Sequence, residues 1–193
     1  MNKLLLLLLL AACTPKAQTS CGFLQDVYGQ RISWKNNVPV TLKIDVSFPV
    51  EFIPDLVAAA HTWNVKAGRT LIIIDTNAKA FGPYRKDRQN VIYGFQKWDS
   101  KRDKQAITTT YWTGDQITEA DMKLNLEWFA FYTSQDEIKS GVSIQALFLH
   151  ELGHVLGLMH IDTERSVMNR GLANMDDRIE LLQKETANLA CQY

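Results

Sequence analysis

Histidine is scarce in this 193-residue chain, with four in all, and cysteine is scarcer, with three. Five prolines and ten glycines are too few and too scattered for long unstructured tracts. Net charge is missing too. The 21 basic residues balance 21 acidic ones, so no overall field favours nucleic acid or an anionic lipid surface. No internal repeat is visible, which sets repeat architectures aside. The longest apolar run, Leu4 to Ala12, is too short to hold the chain across a bilayer as a stable helix. What remains is 46% hydrophobic and 22% charged, the composition and size of one compact domain with an ordinary core.

The short apolar run follows Lys3 and ends at Cys13, which is the order and length of a signal-peptide core. Leu10-Ala11-Ala12-Cys13 resembles the lipobox of bacterial lipoproteins. That resemblance implies a signal peptide over residues 1–12, cleavage before Cys13 and a lipid on its thiol. Plain secretion with a later cut is the alternative, but Pro15 and Lys16 interrupt any small-x-small site downstream. The implied location is exported and lipid-anchored to a bacterial membrane or cell surface. Thr14 is compatible with the outer membrane if the cell is Gram-negative. Cys21 and Cys191 then remain in an oxidising setting as a candidate disulfide. It would close a loop of 191 − 21 = 170 residues, worth roughly 4–5 kcal/mol in lost unfolded-state entropy.

Along the mature chain, Val40 to Phe48 alternates apolar and polar residues and predicts a strand with one buried face. Pro54 opens a helix that stops at Gly68. Thr70 to Asp75 is a β-branched run expected to form a strand buried on both faces. Val91–Trp98, Ala106–Trp112 and the stretch from Ile117 to Trp128, alternating from Ala120 onward, predict three more strands separated by charged, solvated loops. The period then changes. Ile144, Leu147, Phe148, Leu152, Val155 and Leu156 fall at helical spacing, with Ser140 or Ser143 available as a cap. A last helix is expected from about Asp176, whose acidic first turn suits the helix dipole, to Ala190. Strand, helix, further strands and then two helices is an α+β order, not the regular alternation of a doubly wound sheet.

Three of the four histidines fall within the eleven residues HELGHVLGLMH, His150 to His160. On a helix His150 and His154 share a face and can grip one metal ion. Glu151, about 100° round the helix, flanks that ion rather than ligating it. Gly157 comes one turn later and lets the helix stop, so that His160 can approach the same ion from outside it. Three neutral nitrogens leave a position open for water, the coordination of a catalytic zinc. An isolated HExxH is often incidental, but here the glycine and the third histidine also stand at the required offsets. His61, the remaining histidine, reads as a packing or surface residue of the first helix.

HExxHxxGxxH followed by Ser166-Val167-Met168 resembles the signature of the metzincins, zinc endopeptidases with a methionine turn. Met168, eight residues past His160, and the stretch GDQITEADMKLN before the zinc helix are similar to the matrixin (matrix metalloproteinase-like) branch. No tyrosine closely follows Met168, which disfavours the astacins and serralysins, and Ile161 stands where a polar residue is usual. The resemblance implies a zincin-like fold, with a twisted five-stranded mixed sheet, a zinc-site helix and a C-terminal helix. It places a metzincin-like catalytic domain at residues 37–193, behind a tether and lead-in segment at 13–36. It further implies one catalytic Zn2+ on His150, His154 and His160, with Glu151 as general base and Met168 as a structural floor. Calcium is compatible with the family and is not readable here.

The implied activity is hydrolysis of internal bonds in proteins or peptides, with the substrate extended along an edge strand at Thr108–Tyr111. Asn169–Asn174 would line the pocket for the side chain after the cut. Two other readings stay open: a zinc hydrolase of cell-wall peptide amides, and a non-catalytic zinc-containing surface lipoprotein used for binding. Two plugs for the zinc position are also open, the Cys21 thiol and a carboxylate such as Asp26. No nucleic acid is implied as a partner, and a membrane only through the lipid anchor.

Overall fold

The computed structural model describes residues 16–193; the signal-peptide reading of residues 1–12 and the lipidation of Cys13 lie outside the described residues. Among the described residues no helix is long and apolar enough to cross a membrane. Five strands form the main sheet: β1 (Val40–Asp45), β2 (Ile72–Lys79), β3 (Val91–Phe95), β4 (Ala106–Thr113) and β5 (Gln116–Asn125). Their spatial order is β2-β1-β3-β5-β4. The first four run parallel and β4 is antiparallel to β5, so the architecture is the expected α+β mixed sheet. Two short strands, β6 (Phe131–Tyr132) and β7 (Val142–Ser143), form a separate parallel ladder. The helices are α1 (Ile53–Ala67), α2 (Ile144–Val155) and α3 (Gln183–Ala190).

Local chemistry explains most of these boundaries. Pro54 sits in the first turn of α1, where its missing N–H costs nothing, and Gly68 ends the helix at φ 65° in the left-handed region. Leu56, Ala59, Ala60 and Trp63 recur at helical spacing and form the buried stripe of α1. The Trp63 indole donates to the Leu149 carbonyl at 2.9 Å, which locks α1 against α2. Asn64 accepts from the N–H groups of Leu71 and Ile72 and ties the end of α1 to β2.

The β5 strand carries one extra residue. Tyr111 and Trp112 of β4 face Glu119 and Ile117, so Thr118 has no partner of its own. This bulge shifts the parity of the strand. Ile117 and then Ala120, Met122 and Leu124 all reach the core, while Glu119, Asp121 and Lys123 lie on the opposite face. There the Asp87 and Arg88 N–H groups donate to Glu119, and the Val91 N–H to Asp121. The alternation expected from Ala120 onward is the part of the strand beyond the bulge.

Two expectations are corrected. The run ending in Ile72–Asp75 is not buried on both faces: β2 is the outer strand of the sheet, and only its first residue is buried. β-Branched residues fit a pleated edge as well as a buried centre. The last helix starts at Gln183, not Asp176. Its expected acidic first turn is used in ion pairs, Asp176 with Arg178 at 2.8 Å and Asp177 with Lys139 at 2.9 Å. Leu182 is the residue that precedes the helix, and Glu185 accepts the Leu182 N–H at 2.6 Å.

Residues ahead of β1 are more than a loose connection. Phe23 is fully buried and pairs with Leu158, and the Trp34 indole donates to the Val155 carbonyl at 2.7 Å. Cys21 and Cys191 are joined in a disulfide with Cα atoms 6.3 Å apart. Replacing both by serine is expected to lower the unfolding free energy by roughly 3–5 kcal/mol, the entropy of a long open loop. Urea unfolding of the double variant against the oxidised protein measures that loss.

Candidate metal centre

The α2 helix buries Ile144, Leu147, Phe148, Leu152 and Val155, and the Ser143 hydroxyl caps it by accepting the Ala146 N–H at 3.4 Å. With that stripe turned inward, His150, Glu151 and His154 line an open cleft of about 370 Å³. Gly157 then takes φ 97°, and a Cβ at that position would lie 2.8 Å from the Ile32 carbonyl oxygen. Only glycine fits such a turn. The chain reverses there and delivers His160 to the same cleft.

The three imidazoles converge. His154 Nε2 lies 3.1 Å from His150 Nε2 and 3.2 Å from His160 Nε2. A tetrahedral zinc with Zn–N near 2.0–2.1 Å holds its nitrogens roughly 3.3–3.4 Å apart, so the spacing fits that ion closely. Tautomers are arranged to suit. The His150 Nδ1–H donates to the Val167 carbonyl and the His154 Nδ1–H to the Leu158 carbonyl, both at 2.7 Å, which leaves each Nε2 with a lone pair for a cation. Among the described residues this is the single cluster of three or more histidine, cysteine or acidic side chains close enough to hold a metal.

Burial, and then the neighbouring His154, pushes the His150 pKa down to about 3 and that of His160 to about 4. Glu151 is 5% exposed, and burial raises its pKa, opposed by His154 and by the hydrogen bond from Thr108. Imidazoles held neutral in this way are competent ligands at neutral pH.

Met168 is fully buried directly under α2. A Cβ added at Gly153, between the two helical histidines, would lie 2.3 Å from its sulfur. The glycine in HELGH is therefore the seat of the methionine. The turn itself hangs on Glu185, fully buried in α3, which accepts from the Ser166 hydroxyl at 2.5 Å and the Val167 N–H at 3.0 Å. Arg178 donates to the Ser166 carbonyl at 2.7 Å and also to that of Gly171, linking the turn to the wall of the cleft.

Of the segment expected to line the pocket, Asn169 to Leu172 do so, joined by Ala106 and Leu147. Leu149 and Leu152 are core, as expected. His61 is exposed on α1. Neither proposed plug lines the cleft: Cys21 is bonded to Cys191, and Asp26 accepts from Tyr28 and Gln30 N–H groups in its own turn. Sequence reasoning missed Leu147, Glu185 and the contact of Thr108 with Glu151. A glycine inside a helix was the available sign of the Met168 seat, since it costs about 1 kcal/mol against alanine.

Both histidine shifts lower the folded-state pKa, so below about pH 6.5 these two rings bind more protons in the unfolded chain than in the folded one. Their share of the stability of the metal-free protein is full above that value and lost as pH falls toward 4. Burial raises the Glu151 pKa and pushes that of Asp121 up to about 7, and these two carboxyls act in the opposite sense. Ring NMR signals of His150 and His160 in chelator-treated protein should therefore stay those of neutral imidazole from about pH 7.5 down to about 5.5. Protonation of either ring near pH 6.5 would contradict the neutral, buried imidazoles.

No curated protein matches the chain. Residues 78–193, more than half of it, match the family model described as Matrixin, and that span holds β3 to β5, the histidine helix, the Met168 turn and α3. With the same helix, glycine turn and buried methionine now seen in three dimensions, the chain belongs to the matrixins, a family of zinc-dependent metalloendopeptidases.

Proposed function

We propose that this matrixin cuts internal peptide bonds using Glu151 as general base beside a zinc held by His150, His154 and His160. The observation that carries the reading is the meeting of three Nε2 atoms next to a buried carboxylate on the wall of an open cleft. Zinc bound there would supply Lewis acidity to the scissile carbonyl and acidify a water.

The chain's own groups do the rest. Glu151 accepts a proton from the attacking water and returns it to the leaving amine. Its burial keeps bulk water from competing for that proton. β4 pairs with β5 on one side only, so its outer edge at Thr108–Tyr111 offers backbone donors and acceptors to an extended substrate. Leu147, Ala106 and Leu172 give the neighbouring pocket its apolar surface. The Gln105 amide donates to the Leu172 carbonyl at 2.9 Å and joins edge strand to pocket wall.

A diverse peptide library incubated with the soluble domain tests this. Internal cuts should appear, vanish with a chelator and return with zinc. Glu151→Ala should slow them by about 10²–10⁴-fold while zinc stays bound. A folded, zinc-loaded sample that cuts no peptide, or that cuts only cell-wall peptide amides, would overturn the reading. We also propose that the mature protein is held to a bacterial membrane by lipid on Cys13. Cys13→Ala should then release it from the membrane fraction, and unchanged partitioning would refute the anchor.

A further inference from the structure

The threonine run of β4 is split between two faces. The Thr109 hydroxyl pairs with that of Tyr84 at 2.5 Å on one side of the sheet. The Thr108 hydroxyl points the other way, toward α2, and lies 2.6 Å from Glu151 Oε2. Nothing in strand propensity requires a hydroxyl at that spot, since valine has the same shape and suits a strand at least as well. A threonine has one O–H to give, and the Glu151 carbonyl oxygen, its other neighbour, is distant at 3.4 Å. The proton therefore goes to the carboxylate. The Thr108 backbone N–H also favours the charged carboxylate, so β4 steadies Glu151 from one residue, with the hydroxyl on Oε2.

We propose that Thr108 is a positioning residue for the general base, its hydroxyl holding the Glu151 carboxylate in one orientation toward the reacting water. A carboxylate on a two-carbon stem has several rotamers, and a hydrogen bond to a charged acceptor in a buried setting is strong enough to select one. The contact spans layers, from an edge strand to a helix 43 residues away in sequence. Thr108 thereby joins the two halves of the cleft. The strand that lines up the substrate backbone also sets the angle of the base, so scissile bond and base share one reference point.

This rests on Glu151 being the base, and the test separates the two. Thr108→Val keeps the shape and removes the hydroxyl; Thr108→Ser keeps the hydroxyl and removes the methyl. With a cleaved peptide, Thr108→Val should lower kcat roughly 10–100-fold, the loss of one hydrogen bond to a charged group, and leave KM within about twofold. Thr108→Ser should restore kcat to within about threefold of the parent. Zinc content should be equal in all three. Crystal structures of the zinc-loaded parent and Thr108→Val should show one Glu151 rotamer in the first and a moved or divided carboxylate in the second.

The inference is overturned if Thr108→Val keeps its kcat, if Thr108→Ser is as slow as Thr108→Val, or if Glu151 holds the same rotamer without the hydroxyl. A parent enzyme that cuts nothing would instead remove the proteolytic reading. The two crystal structures would still decide whether Thr108 orients Glu151.

Discussion

Three imidazole nitrogens, with His154 Nε2 within 3.2 Å of each of the others, crowd one another unless a cation sits among them. The rest of the molecule can be understood as the scaffold that imposes this crowding. The inner stripe of α2 fixes two of the rings, and the reversal at Gly157 brings the third. Backbone carbonyls of Val167 and Leu158 hold two of the rings in the ligating tautomer. The first of those carbonyls is itself steadied through the hold of Glu185 on the Val167 N–H. The segment before β1 serves the same end, because the Met159 N–H donates to the Gly22 carbonyl at 2.7 Å, one residue from His160. Cys21 anchors that contact through its bond to Cys191.

The site was legible in the sequence because its ligands are local. Offsets of four and six residues can be read on a helix and its turn, without knowledge of the fold. The single-domain α+β order was legible for a related reason: hydrophobic period changes sharply between Val40–Phe48, which alternates, and Ser143–Leu156, which repeats every three or four residues. Gly68 and Gly157 marked both helix ends, since each stands where the chain enters the left-handed region.

What escaped depended on tertiary partners. Edge and central strands share a preference for β-branched residues, so the position of β2 at the rim had no local sign. Asp176 and Asp177 read as a helix start, yet Arg178 and Lys139 had the stronger claim on them. Glu185 looks like any surface acid of a C-terminal helix until Ser166 and Val167 are seen to bond it. The partnership of Thr108 with Glu151 was invisible because β propensity already accounted for a threonine there.

The unpaired residue Thr118 has an effect beyond β5 itself. A bulge bends and over-twists the strands around it, and this one lies beside Tyr111 and Trp112 near the end of the edge strand. An open, straight edge welcomes any extended chain, including copies of the same protein stacking without limit. Here the straight portion ends where the kink begins. The regularly paired part of β4 thus stops at Tyr111, which limits the length of edge open to a second strand.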